Sequence, residues 1–521
     1  MLLALLCCGF IVYAVLSILI LPSLQYWRDP KGLRRFPNYS CLSTISNWPF
    51  LVLHSHGRRS RDVDEAHKKL SAPILRFGPN SLSFAHRDAI REIYGHATTC
   101  LKDIKYELTS DGHPHLFDVV DKVQHGVKRK RLSAAFAIKN LVRWESKVVR
   151  TTRLLVAALD RRCTLPLSPE VSTPVPADLT LDLNYWINLF TIEAINYICL
   201  TSELGMLERG EDTVTARKPD GTVYQTAYRR AQDATAFAVS HFVWDYTWYP
   251  WLVKVSKLLP GWRKSWNDGA PWMDIVNHQA LTRLERHKRG ENIEDFFSVL
   301  MNGKDGSANN LPWPEIVNEI NAIVNAGADT TSIALTQVLY FLLRNPEHLK
   351  TLRQEIDSVL TPDEVIAPYD KIKQLPFLKA CLDEGLRFIP PTSAGLPRKT
   401  PPEGAQILGN WIPGNTTVSM TTYTAHHDPT VFPEPERYNP HRWMDAHERK
   451  KMEPYFIPFS TGGRGCLGRN ISYLEQYIVL ATLVHRYEFA LPRPDFELKR
   501  FEAFNLQIGE LPVKIWRRSR T

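Results

Sequence analysis

The stretch from Phe459 to Gly468, Phe-Ser-Thr-Gly-Gly-Arg-Gly-Cys-Leu-Gly, constrains this chain more than any other. Four glycines crowd one cysteine, Cys466, and Arg464 stands two residues before it. Glycine lets a backbone turn tightly and approach a flat, bulky ligand where a side chain would collide. Nearby backbone N–H groups and positive charge favour a thiolate over a thiol. Residues 467–486 have helical composition and apolar spacing, so Cys466 falls just ahead of a helix N-terminus. There the helix dipole also favours negative charge.

The other cysteines, Cys7, Cys8, Cys41, Cys100, Cys163, Cys199 and Cys381, are scattered with no CxxC pair. That usage speaks against a disulfide framework or a zinc site and suits a reducing compartment. At 521 residues the chain can bury a large core, and no composition break, repeat or low-complexity tract divides it. The net charge of +9 is a mild excess for this length. Basic runs such as Lys128-Arg129-Lys130-Arg131 lie in no nucleic-acid module, so a nucleic-acid partner is not expected. An anionic membrane surface or an acidic redox partner suits the bias better.

Residues Leu2 to Leu21 are uncharged and almost wholly apolar. Roughly 20 such residues span a hydrocarbon core of about 30 Å. Basic residues begin at Arg28 and continue with Lys31, Arg34 and Arg35, which puts the following domain on the cytosolic side. A cleaved signal peptide is the competing reading, but the basic start and short apolar core it needs are absent. The expected organisation is an anchor over 1–24, a neck over 25–48 and one domain over 49–521, with Pro22, Pro30 and Pro37 breaking helix ahead of that domain and stiffening its approach. Sequons at Asn38, Asn415 and Asn470 would matter only in a lumen.

Three further constellations lie upstream of the cysteine. Ala326-Gly327-Ala328-Asp329-Thr330-Thr331 sits within an apolar helical stretch over 314–343, where a glycine and an acid–threonine pair are locally unfavourable. Conflicts of that kind mark function, although a threonine bonded to its own helix and a solvated acid would be the bland alternative. Glu384 and Arg387 stand three apart on one helix face. The same spacing recurs at Glu434 to Arg437, which spans Pro435, and at Glu497 to Arg500, so position must select among them. His125 and Arg129 lie one turn apart in a basic helix that a wet, charged face would also explain.

The string FxxGxRxCxG, filled by Phe459, Gly462, Arg464, Cys466 and Gly468, resembles the heme-binding loop of the cytochromes P450. The resemblance runs from about residue 50 to the C-terminus with its motifs in order. It implies a mainly α fold with small antiparallel β-sheets near the N-terminal half, and heme b (iron protoporphyrin IX) as cofactor. By that likeness Cys466 is the axial iron ligand, whose electron donation promotes O–O cleavage. Phe459 shields the sulfur, and Arg464, Arg129, His125 and Arg398 meet the heme propionates. The usual residue at position 125 is tryptophan, but histidine still donates a hydrogen bond, and fungal members show this form. Asp329 relays protons and the Thr330 hydroxyl opens a helix groove for dioxygen. Glu384, Arg387 and Arg442 form a buried structural triad.

The implied activity is a monooxygenase acting on a lipophilic small molecule in fungal secondary or xenobiotic metabolism. Electrons come from NADPH through a separate NADPH–cytochrome P450 reductase, with cytochrome b5 as an auxiliary donor. The protein is then a single-pass protein of the endoplasmic reticulum membrane with its catalytic domain cytosolic. A reductase-independent heme-thiolate isomerase or dehydratase, and a non-catalytic heme protein, are the rival readings, and the intact Asp329–Thr330 pair opposes both. The expected pocket wall comprises the loop before His125, residues 237–266, the start of the 314–343 helix, Thr392 to Leu396 and Phe504 to Ile508. Trp244, Trp248, Trp251 and Trp262 could serve in that wall or as membrane-facing anchors.

Overall fold

The computed structural model describes residues 9, 12–109, 112–168, 173–303 and 306–519. Its axis is the 32-residue helix Trp313–Arg344, which packs most extensively against the helix Leu183–Leu200. Gly327 explains the closeness of that pairing. A Cβ at this position would stand 2.6 Å from Ile195 Cγ1 on the facing helix, so an otherwise unfavourable residue permits the approach. The helices Leu141–Asp160, Pro376–Phe388 and Arg469–Arg486 pack around this pair and complete the main core.

The largest sheet has five strands in the order Ile74–Gly78, Ser81–Phe84, Thr417–Ser419, Arg398–Lys399, Leu101–Lys102. The fold is mainly α with small antiparallel sheets, as expected, and this sheet differs from the expectation in one strand pair and in where its strands come from. Thr417–Ser419 runs parallel to Ser81–Phe84, and two of the five strands come from the C-terminal half. The sheet joins segments more than 300 residues apart because its apolar face, with Ile74, Leu82, Phe84 and Val418, buries a second core together with Leu33 and Phe36. Short strands of this kind carry little periodic signal, and their pairing is fixed by burial rather than by local pattern.

Ten residues of the expected anchor, 1–8, 10 and 11, lie outside the described residues. Among the described residues no helix is long and apolar enough to cross a membrane. Pro22 does not break helix. It follows the π-helical turn Leu16–Ile20 that leads without a break into the helix Leu21–Arg28, and the chain leaves that helix at Asp29 with φ +41°. Residues Leu33 and Phe36 then seat the 25–48 segment on the sheet, and Arg76 N–H donates to Pro37 O at 2.8 Å.

Glu384 gathers the strongest polar network. Its Oε1 accepts from Arg387 Nη2 at 2.8 Å, Asn439 N at 2.9 Å and Arg442 Nε at 3.1 Å. Its Oε2 accepts from Arg387 Nε at 2.8 Å and Trp443 Nε1 at 2.9 Å. Arg387 also donates to the carbonyls of His426, Pro435 and Arg437. The rival Glu434–Arg437 pair is a surface contact at 3.8 Å, as its proline-containing setting implied. Glu384 and Arg387 are fully buried, so removing one partner strands a charge in the interior. Glu384→Ala should therefore cost about 3–5 kcal/mol in urea unfolding; an unchanged midpoint and slope would remove the triad's structural role.

Candidate active site

The cysteine loop is closed by its own backbone. Cys466 N–H donates to Phe459 O at 2.9 Å, and Gly465 N–H to Gly462 O at 3.1 Å. Gly462 has φ +69°, and a Cβ there would come within 2.0 Å of Tyr94 O, so only glycine fits. The helix Arg469–Arg486 begins three residues after the cysteine. Phe459 packs on Tyr473 of that helix, with ring centroids 5.3 Å apart, and the Tyr473 hydroxyl donates to Asp383 Oδ1 at 2.7 Å.

The Cys466 thiol is accessible to a water-sized molecule, yet protein surrounds it and burial pushes its pKa up. Both observations describe a sulfur facing an interior recess. The N–H groups of Gly468 and Arg469 and the charges of Arg129 and Arg469 pull the other way. A metal at the sulfur would deprotonate it outright.

Around this recess the structure assembles basic groups from four separate segments. Arg464 donates to Val119 O at 2.6 Å and Val120 O at 2.8 Å, and Arg129 donates to Gly465 O at 2.7 Å. These bonds tie the cysteine loop to the helix Lys122–Ser133. Arg398 is 3% exposed and donates to Leu396 O and Pro397 O, both at 3.2 Å. His125 is buried, and its pKa is lowered to about 4 by burial, then by Arg464, Arg129, Lys102 and Arg398. It is therefore neutral at physiological pH and able to donate one hydrogen bond.

Lys102 completes the set and was not anticipated. It stands directly opposite Arg398 on the neighbouring strand, a like-charge pairing that is unfavourable by itself. Its ammonium donates to Phe117 O, and its pKa falls well below the ordinary lysine value through burial, Arg398 and Arg464. Nothing in Leu101-Lys102 signals this locally; only the strand register reveals it. The nearest acid, Asp118, is itself pushed up to about 7 by burial and offsets little of the charge. An accessible sulfur beside Lys102, His125, Arg129, Arg398 and Arg464 is a donor set suited to a flat iron chelate bearing two carboxylates. The residues fit heme.

The acid–threonine pair lies mid-way along the Trp313–Arg344 helix, where Ala326 is exposed and Thr330 half-buried although the helix is central to the fold. Thr330 Oγ1 donates to Ala326 O at 2.8 Å, and the helix continues unbroken through this turn. Such a bond back to the preceding turn bends or loosens a helix locally. Asp329 Oδ2 accepts from Asn505 Nδ2 at 2.7 Å, and Asn505 Oδ1 accepts from Thr392 Oγ1 at 2.7 Å. One chain of bonds thus joins three segments of the expected pocket wall. Burial, then the neighbouring Asp233, raises the Asp329 pKa to about 7, against the pull of Asn505 and Arg229. Asp233 is accessible to a water-sized molecule, yet burial raises its own pKa as well.

The ring of Phe117 meets Phe504 at 5.7 Å, which brings the loop before His125 against the 504–508 turn. Of the four tryptophans, Trp248 packs against Tyr13 with ring centroids 6.3 Å apart. Trp244 is buried and Trp262 stacks on Phe237 at 5.5 Å, while Trp251 is 56% exposed. His426 is a further residue the sequence did not single out. Its Nε2 accepts from Ile457 N–H at 2.9 Å while Nδ1 lies 3.2 Å from Arg387 O, so it links the Glu384 network to the approach of the cysteine loop.

A thiol-bearing loop, converging cations and a mid-helix acid–threonine pair, set in this helical fold, define a heme-iron oxidoreductase. The sequence profile of the cytochrome P450 family matches residues 45–515, and the chain belongs to that family. It is an enzyme of the monooxygenase type. It is 28% identical over 503 residues, 94% of either chain, to benzoate 4-monooxygenase bphA of Aspergillus niger. It is also 24% identical over 471 residues, 89% of this chain and 77% of the other, to tryprostatin B 6-hydroxylase of Aspergillus fumigatus. Among solved structures, the cytochrome P450DA heme domain superposes with a TM-score of 0.70 at 18% identity, covering 89% of this chain and 95% of that one.

An acid with a pKa of about 7 is protonated below that pH and donates; above it, the carboxylate accumulates and donation fails. Product formation should accordingly fall as pH rises through about 7, and Asp329→Asn should be slow with that inflection gone. A variant whose pH–rate profile keeps the inflection would move the proton-donating group elsewhere.

Proposed function

We propose that this protein is a membrane-anchored heme-thiolate monooxygenase that transfers one oxygen atom from O2 to a lipophilic small molecule of fungal secondary or xenobiotic metabolism. Its cofactor on this reading is heme b, held by Cys466. Its electrons come from NADPH through a separate NADPH–cytochrome P450 reductase, with cytochrome b5 as an auxiliary donor, at the endoplasmic reticulum membrane. The observation that carries the reading is the meeting of an accessible, N–H-supported sulfur with basic groups that lack sufficient counter-charge. The names of the relatives, for benzoate and tryprostatin B oxygenation, support oxygen insertion into small organic molecules.

Bound heme supplies the activation of dioxygen and the transfer of its oxygen atom. The chain's own contributions follow from the geometry. Backbone N–H groups of Gly468 and Arg469 stabilise negative charge on Cys466 Sγ. Lys102, Arg129, Arg398 and Arg464 supply positive charge for two carboxylates, and neutral His125 supplies a hydrogen bond. The carboxyl of Asp329 is poised to give up and regain a proton near neutral pH, with Asn505 fixing its orientation. Thr330 Oγ1 donates its hydrogen to Ala326 O and keeps lone pairs with which to accept a hydrogen bond from a water that carries the proton. The isomerase reading does without this acid and hydroxyl, and this chain carries both.

Thr330→Ala should retain heme and raise the ratio of NADPH consumed to product formed several-fold, measured with purified reductase. Full coupling in that variant would take the hydroxyl out of proton delivery. Cys466→Ser should lose the thiolate-type band of the reduced carbonyl adduct; its persistence would sink the heme-thiolate assignment.

A further inference from the structure

An acid that the oxygen chemistry leaves unused stands over the middle of the Trp313–Arg344 helix. Asp233 lies in the helix Tyr228–Phe242, whose Gln232 Nε2 donates to Asn325 O at 3.2 Å and to Asn325 Oδ1 at 2.9 Å. That attachment sets Asp233 beside the turn in which Ala326 is exposed. The Asp233 side chain is accessible to a water-sized molecule although protein surrounds it, the combination that also marks the Cys466 sulfur. Among the described residues its carboxylate has neither a hydrogen-bond donor nor an ion-pair partner. Phe237 follows one turn later on the same helix face, and its ring meets Phe501 with centroids 5.7 Å apart. An unpartnered acid thus borders an aromatic wall.

The charges that face Asp233 are unevenly matched. Arg229, one turn earlier, attracts it, while Asp212 and Asp329 repel it. Arg229 is committed elsewhere: its guanidinium carbon lies 5.1 Å from the Tyr185 ring centroid, its Nε is buried with no partner, and its backbone N–H donates to Asp212 Oδ2 at 3.0 Å. Three acids therefore answer to one cation. Burial raises the Asp233 pKa despite Arg229, and Asp212 adds to the rise. A carboxylate withdrawn from water is unfavourable unless an opposite charge or a donor replaces the water. The sulfur side has the reverse imbalance, a surplus of basic groups suited to two carboxylates. Here the missing partner is a positive charge.

We propose that Asp233 is a recognition residue for a cationic nitrogen on a lipophilic substrate, with Phe237 and Phe501 packing on the apolar body beside it. A pocket of this kind needs few polar groups, and one charge among aromatic rings fixes which end of a substrate enters first. Aromatic faces also attract a cation directly. Asp233 then orients the substrate from away from the reacting atoms, and Arg229 weakens the attraction without cancelling it. The proposal rests on the heme-thiolate reading and narrows its substrate class to lipophilic ammonium compounds.

The test uses the full-length holoenzyme, first checked for the thiolate-type carbonyl band. Phenylalkyl trimethylammonium ions of increasing chain length and their uncharged tert-butyl isosteres are titrated by the substrate-induced change in heme absorbance. A quaternary nitrogen has no lone pair for iron, so each pair differs in charge alone. At least one ammonium ion should bind about tenfold or more tighter than its isostere. Asp233→Asn should erase most of that preference and leave affinity for the isostere unchanged, while Asp233→Glu keeps part of it. Arg229→Gln should increase the preference, because it removes the competing cation; damage to the fold would lower it. The preference should also weaken as pH falls, since the probe keeps its charge while the carboxylate is protonated. The carbonyl band with no ammonium ion preferred over its isostere, or a preference that survives Asp233→Asn, overturns the site. If Asp233→Asn fails to fold, a preference that neither rises in Arg229→Gln nor weakens at low pH overturns it. Absence of the band in the unmodified protein overturns the heme-thiolate reading instead.

Discussion

The interior accumulation of positive charge beside Cys466 is the constraint around which the rest of this structure is arranged. Lys102 and Arg398 oppose each other across a strand pair, and Arg464, Arg129 and His125 reach the same region from two other segments. Uncompensated, this charge would oppose folding, and the protein meets part of the cost with backbone carbonyls of Val119, Val120, Leu396, Pro397 and Gly465. Those same bonds fasten the cysteine loop to the helix and strands that carry the cations. On the proposed reading, one set of side chains serves both cofactor binding and loop placement.

Behind this assembly the Glu384 network acts as a rigid back wall. A carboxylate that accepts five hydrogen bonds in a fully buried position has one geometry open to it. His426 and Tyr473 carry that rigidity forward, the first to Ile457 ahead of the loop and the second to Phe459 within it. In contrast, the oxygen-side helix is left with polar groups whose partners are few and adjustable. Asp329 answers to Asn505 and to the charges of Asp233 and Arg229, and its pKa of about 7 follows from burial outweighing those contacts. A stiff sulfur and a proton-exchanging acid on separate elements suit a reaction in which the metal ligand must stay put while protons move.

The wall of the pocket combines long-range pieces in the same way. Thr392, Asn505 and Asp329 form one chain of bonds across three segments, and Phe117 closes on Phe504. Arg59 donates to Ala394 O of the same wall and lies over the Trp244 ring. The tryptophans of the 237–266 region divide accordingly, Trp244 and Trp262 facing inward and Trp251 outward.

Sequence alone determined the reaction class, because glycines that exclude a Cβ and a cysteine ahead of a helix are local requirements written in consecutive residues. The Asp329–Thr330 pair and the correct choice of Glu384 and Arg387 among three similar spacings were legible for the same reason. The sheet was read less well: its parallel pair and its C-terminal strands depend on burial between segments hundreds of residues apart. Lys102, His426 and Asn505 were invisible for that reason too, each an ordinary residue until strand register or a turn brings it against its partner. Local chemistry fixes which atoms react, since it needs only neighbours in the chain. The charge around those atoms, the tuning of Asp329 and the shape of the pocket are sums over distant groups, and only folding decides them.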